Sequence, residues 1–178
     1  MINLDDYSIF ENTDSIMNLS KDTSDKKDIK YMSNSDFIAI DFDNVKEIYV
    51  KEHVESSQAQ IKSVDAVFMK DDKIVFVEFK NGNMNKEKRN VKEKIKDSLL
   101  VFGDITSTTI SYAREKYDFI LVYNSHKNPI STSSIGKSIS KKSKKNFIRF
   151  GLEPFKGLYF NEVYTFSEEE FKAYIDDM

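Results

Sequence analysis

The stretch that most constrains this chain is residues 63–82, SVDAVFMKDDKIVFVEFKNG. Two runs rich in β-branched and aromatic residues, VDAVFM (64–69) and KIVFVEF (73–79), flank a short KDD turn, the pattern of an antiparallel hairpin. Each run carries an acid, Asp65 early in the first and Glu78 late in the second, thirteen positions apart, and Lys80 closes the second. Residues i and i+2 of a strand share a face. Glu78 and Lys80 therefore point one way, while Val75, Val77 and Phe79 point the other way, suited to a core. Pairing about the centre of KDD brings residue 65 opposite roughly residues 77–78. A buried, unpaired carboxylate costs several kcal/mol. Glu78 therefore needs a partner, either a lysine such as Lys80 or a divalent cation.

Two carboxylates that converge beside a lysine form a hard-oxygen site. Mg²⁺ takes one or two such carboxylates and keeps waters for a phosphate ligand. Mg²⁺ or Mn²⁺ on Asp65 and Glu78 would lower the pKa of a water and neutralise charge on a phosphate. Lys80 would orient or deprotonate that water, or stabilise developing charge. Phosphodiester hydrolysis uses these parts together. The chain has no Cys and two His, His53 and His126, which excludes disulfides, thiol chemistry and Cys-ligated zinc and leaves little for a His-based site. Both His read as surface residues.

The pattern around the hairpin is that of a mixed α/β domain. Residues 1–19 are expected to hold a short helix and 20–36 a polar loop. Residues 37–50, FIAIDFDNVKEIYV, read as a hairpin turning at Asp43-Asn44. After Asn81-Gly82 the period changes. Val91, Ile95, Leu99 and Phe102 recur at helical spacing over 85–102. Residues 111–117 extend that helix or form a second one, and DFILVYN (118–124) reads as a buried strand. A further strand is expected over 156–166. Ser167 with Glu170 forms a capping-box pattern ahead of a C-terminal helix. The length of 178 residues fits a single domain 1–178, divided into an N-terminal helix and loop (1–36), a core (37–124) and a tail (125–178). No apolar run is long enough for a membrane span. The opening MINLDDYSIF lacks a leader's basic-then-apolar pattern, so the expectation is a soluble cytoplasmic protein.

The segments VDAVF and VEFK resemble the core of the PD-(D/E)xK nuclease superfamily, with Asp65 at the motif's Asp, Glu78 at its second acid and Lys80 at its lysine. Val64 stands where that motif carries proline. The resemblance covers roughly residues 37–124. It implies a restriction-endonuclease-like αβββαβ core, a mixed central β-sheet flanked by helices. It also implies Mg²⁺-dependent phosphodiester hydrolysis of nucleic acid, DNA ahead of RNA, in bacterial defence, restriction or DNA processing. Many members add an upstream acid. Glu11, Glu52 and Glu55 compete for that role here, with Glu55 nearest in sequence, and Gln60 is a polar alternative. Lys94 and Asp97 lie one turn apart and either face the site or form a solvent-exposed pair, the second reading being preferred.

Charge is unevenly distributed: −8 over residues 1–72, +10 over 73–149 and −5 over 150–178. The basic centre suits a polyanion. Candidate nucleic-acid contacts are Lys86, Lys88 and Arg89 at the start of the helix, and Lys137, Lys141, Lys142, Lys144, Lys145 and Arg149 in the Ser/Lys-rich tail, with Phe147 and Phe150 able to stack on bases. A small nuclease of this kind is expected to act as a homodimer or as a subunit of a larger assembly. The second reading is a catalytically inactive module of the same fold, an inhibitor, immunity or scaffold protein whose acidic ends mimic nucleic acid or dock a basic partner.

Overall fold

The hairpin forms at the centre of the chain. In the computed structural model, which describes residues 2–23, 29–53, 60–129 and 147–178, strand β5 (Ala66–Lys70) pairs antiparallel with β6 (Lys73–Lys80) from Ala66↔Val77 to Lys70↔Lys73. The two residues between them, Asp71 and Asp72, have φ of 47° and 63°. Positive φ at both central positions is the turn whose twist matches that of the strands, and aspartate tolerates it better than most side chains.

Around the hairpin lies a six-stranded mixed sheet in the order β1-β4-β5-β6-β7-β8. Its other strands are β1 (Thr13–Ser15), β4 (Ile38–Asp41), β7 (Tyr117–Tyr123) and β8 (Glu162–Ser167). A separate two-residue ladder joins β2 (Lys21–Asp22) to β3 (Lys30–Tyr31). β1, β4, β5 and β6 pair antiparallel in turn, whereas β6/β7 and β7/β8 are parallel. A parallel pair needs a crossover, here the 23-residue helix α3 (Met84–Thr106) followed by α4 (Ile110–Lys116). All seven residues of β7 are buried, which explains its unbroken apolar reading.

Each face of the sheet has its own core. On one side Val67, Ile74, Phe76, Phe119 and Leu121 pack against Val91, Ile95, Leu99 and Phe102 of α3 and against Phe42, Val45 and Tyr49 of α2 (Phe42–His53). On the other, Ala66, Phe68, Val75, Val77, Phe79, Ile120 and Val122 meet Ile16 of the one-turn α1 (Ile16–Leu19) and Phe171 and Ile175 of α5 (Glu168–Asp176). The capping box at Ser167 and Glu170 forms as expected.

One local expectation is corrected and two are narrowed. Residues 37–50 do not form a hairpin. β4 ends at Asp41, whose Oδ1 accepts a hydrogen bond from Asn44 N at 3.0 Å and starts α2. Asp and Asn serve helix starts as readily as turns, and Phe42, Val45 and Tyr49 lie at helical spacing. The short helix expected within residues 1–19 is α1 at its end, preceded by two 3₁₀ turns, Leu4–Asp6 and Ser8–Glu11, and by β1. The strand expected over 156–166 narrows to β8, because Gly157 at φ 72° turns the chain before it.

Candidate functional site

Even-numbered side chains of β6 face α3, so Glu78 points at that helix rather than into solvent. The β5–β6 register, continued by one residue, sets Asp65 opposite Glu78, and Asp65 N donates to Val77 O at 3.0 Å. Glu78 has a side-chain exposure of 0%. Lys80 Nζ, two residues on, lies 2.9 Å from Glu78 Oε1 and 3.9 Å from Glu87 Oε2. Asp65, Glu78 and Lys80 thus meet at one place.

The residue that joins them is Lys94. Its Nζ lies 3.0 Å from Asp65 Oδ1 and 2.9 Å from Glu78 Oε1, and it donates to Glu78 Oε2 at 2.9 Å. Of the two readings of Lys94 and Asp97, the preferred exposed pair is corrected and the site-facing one holds for Lys94 alone: Lys94 is 16% exposed and turns inward, while Asp97 Oδ2 accepts from Lys62 N at 2.9 Å. The periodicity of α3 carried the signal. Lys94 falls between buried Val91 and buried Ser98, inside the apolar stripe.

Backbone anchors hold the cluster in place. Ser98, fully buried, accepts Val64 N on its Oγ at 2.8 Å and so fixes the chain just before Asp65. Lys62 Nζ reaches Asn90 at 2.9 Å and Glu93 at 2.7 Å on α3. Asp65 Oδ2 accepts Phe79 N at 2.6 Å, which locks the carboxylate to the strand that carries Glu78. Beyond Lys80, Asn128 Oδ1 accepts Met84 N at 2.8 Å and its Nδ2 donates to Gly82 O at 2.9 Å, so the start of α3 is pinned to the strand ends.

Electrostatics follow from this burial. Burial, reinforced by the charge of Asp65 and opposed by Lys94 and Lys80, pushes the Glu78 carboxyl up to about 7. Burial also raises Asp65, against the pull of Lys94 and the Phe79 amide, and the carboxylate of Asp43 adds to the rise. For Lys94 burial is the largest influence and acts downward, but the two carboxylates outweigh it and hold the ammonium above its usual range. One atom is left over. Glu78 Oε1 is buried and, although close to two ammonium groups, takes no hydrogen bond of good geometry. Two facing carboxylates, one with an unsatisfied oxygen, are a donor set that suits a hard divalent cation.

Asp65 and Lys80 border a groove of about 470 Å³, together with Lys21, Asp22, Asn81, Gly82 and Glu87. Glu78, fully buried, does not line it. Of the upstream acids, Glu11 is exposed and lines a separate cavity of about 580 Å³ beside β4, Glu52 is exposed near the end of α2, and Glu55 lies outside the described residues. The upstream acid that acts on Asp65 is Asp43, in the first turn of α2, whose Oδ1 accepts from Ser63 Oγ. Reading DFDN as a turn hid it. Among the described residues, no three His, Asp or Glu side chains gather into one metal-binding group. Gln60 and His126 are exposed, and the exposed His53 stacks on Tyr49 at 4.7 Å.

Lys86, Lys88 and Arg89 are exposed on the first turns of α3, and Arg89 pairs with Glu93 at 2.7 Å. Lys137, Lys141, Lys142, Lys144 and Lys145 lie outside the described residues. Arg149 is engaged within the fold. Its guanidinium sits 4.6 Å from the rings of both Tyr123 and Phe150, and its Nη2 donates to Asn128 O at 3.0 Å. Phe150 meets Tyr123 edge-on at 5.0 Å, whereas Phe147 is 75% exposed. Among the described residues, no helix is long and apolar enough to cross a membrane.

Comparison with protein-family models, with curated proteins and with solved structures finds no match for this chain.

Proposed function

We propose that the chain is a Mg²⁺- or Mn²⁺-dependent nuclease that hydrolyses phosphodiester bonds, with DNA as the preferred substrate. The observation that carries this reading is the convergence of Asp65 and Glu78, from adjacent strands, on a single cationic nitrogen in a buried site beside a groove. Asp65 and Glu78 would hold the metal. When bound, the metal would supply an activated water and neutralise phosphate charge. Lys80, at the groove, would orient a water or meet developing charge on phosphate. The exposed Lys86 and Lys88 would receive the backbone of the substrate.

The strand order also supports the resemblance to PD-(D/E)xK nucleases. β4, β5 and β6 run antiparallel, α3 follows, and β7 returns parallel to β6. One feature departs from an αβββαβ core, since the twelve-residue α2 stands between the first and second of these strands. A cytoplasmic role in bacterial defence, restriction or DNA processing, as a homodimer or within a larger assembly, completes the proposal.

A second reading has one observation in its favour. Two lysines already neutralise the two carboxylates, so the site balances its charge without a metal. This would suit an inactive binding module of the same fold. Incubation with plasmid DNA, single-stranded DNA and RNA in Mg²⁺ or Mn²⁺, beside Glu78→Ala and Lys80→Ala, separates the two. The nuclease reading expects metal-dependent cutting that both substitutions abolish. Absence of cutting on all three substrates favours the binding module.

A further inference from the structure

We infer that the ammonium of Lys94 occupies the cation seat between Asp65 and Glu78, and that a divalent metal loads only by displacing it. The inference rests on the proposed metal site and assigns Lys94 a role within it. Three observations lead there. First, Lys94 Nζ touches both acids, at 3.0 Å from Asp65 Oδ1 and 2.9 Å from Glu78 Oε1, and among the described residues it is the one cation paired with both. Lys80 reaches Glu78 alone of the two and leans toward Glu87 as well. Secondly, Lys94 does not arrive from the groove. It comes from the buried face of α3, where Val91 and Ser98 fix the helix against the sheet. Thirdly, its side chain is only 16% exposed, so little water takes part in neutralising the acids.

Charge balance makes the consequence directional. With both acids ionised, two carboxylates and two ammonium groups sum to zero. A divalent ion entering without displacement would give the site a net charge of about +2 in a poorly hydrated place, which is strongly disfavoured. An ion that takes the seat forces the Lys94 ammonium outward, and this opposes binding. Lys94 therefore acts as an internal competitor that holds metal affinity low and keeps the acids neutralised until metal arrives. Removing its charge leaves Asp65 and Glu78 with Lys80 alone, a site that attracts a divalent ion. Lys80→Met removes equal charge but leaves the seat filled, so the two lysines differ in position rather than in charge.

Mn²⁺ binding to the purified full chain, followed by the loss of the free-ion electron paramagnetic resonance signal, provides the test. Lys94→Met and Lys94→Gln are expected to bind Mn²⁺ at least about tenfold more tightly than wild type, and Lys80→Met distinctly less so. Equal affinity in wild type and both Lys94 variants, with Glu78→Gln still abolishing binding, overturns the displacement while leaving the metal site standing. Equal tightening by Lys80→Met and Lys94→Met also overturns it, because charge alone would then suffice. No Mn²⁺ binding by any of these proteins overturns the metal site and the displacement together. Wild-type protein supplies an independent measurement that needs no substitution: acetylation of Lys94 by an amine-reactive ester, read by peptide mass spectrometry. Saturating Mn²⁺ is expected to raise Lys94 labelling severalfold, and labelling unchanged by metal overturns the proposal.

Discussion

Replacing Glu78 by glutamine should change how stability depends on pH, and the structure gives both the sign and the size. The Glu78 carboxyl rises from an ordinary value of 4.5 to about 7, first through burial and then through the charge of Asp65. Between those values the folded chain keeps a proton that the unfolded chain has lost. The neutral carboxyl's full stability is therefore present below the lower value, falls as pH rises toward the upper one, and is gone above it. At 1.36 kcal/mol per unit, this group withdraws about 3 kcal/mol of stability across that window. Glutamine cannot ionise and loses nothing there. The stability of Glu78→Gln relative to wild type should therefore grow by about 3 kcal/mol from about pH 5 to about pH 8, as read from urea midpoints at a constant denaturant slope. Asp65, also raised, still titrates in the variant, so the difference between the two proteins is the informative quantity. Saturating Mg²⁺ should stabilise wild type above the window and leave the variant unchanged. Parallel pH curves for the two proteins would refute the claim that Glu78 is held as a buried, strained carboxyl between Asp65 and two lysines.

Three further outcomes are expected, two from single contacts and one from the charge of the Ser/Lys-rich segment. Ser98→Ala strands the buried Val64 amide and should cost about 1–3 kcal/mol in chemical denaturation, with a fall in cleavage because the chain into Asp65 loses its anchor. Ser167→Ala breaks the capping box of α5 and should cost about 1 kcal/mol while leaving cleavage intact, since α5 packs on the opposite face of the sheet. Converting Lys141, Lys142, Lys144 and Lys145 to serine should weaken nucleic-acid binding and flatten its salt dependence by about 0.9 per lost phosphate contact. Unchanged affinity at low salt would remove that segment from the interface.

Much of this site is written in local patterns that depend on one element at a time. The two-residue alternation of β6 separated Glu78 and Lys80 from Val75, Val77 and Phe79, and the turn at Asp71-Asp72 set the register that brings Asp65 across. The capping box at Ser167 and the stripe of α3 were legible for the same reason. What escaped depends on contacts between elements. Lys94 has a charged head on an apolar stripe, and spacing alone does not decide between an exposed lysine and one turned onto the acids opposite it. Asp41, Asp43 and Asn44 suit a turn and a helix start equally, and only the packing of Phe42, Val45 and Tyr49 on the sheet decides for α2. Arg149 reads as one more cation in a basic run. Its place between Tyr123 and Phe150 follows from how the chain returns after β7.

The central claim is that Asp65 and Glu78 form one metal-dependent cleavage centre. The most direct measurement is the Mg²⁺-dependent cleavage rate of the best substrate by wild type, Asp65→Asn and Glu78→Gln, at matched concentrations and with folding of each verified by circular dichroism. The expected result is a loss of about a hundredfold or more in each variant, with Mg²⁺ required for the wild-type rate. Cleavage that persists at the wild-type rate in either folded variant would contradict the claim.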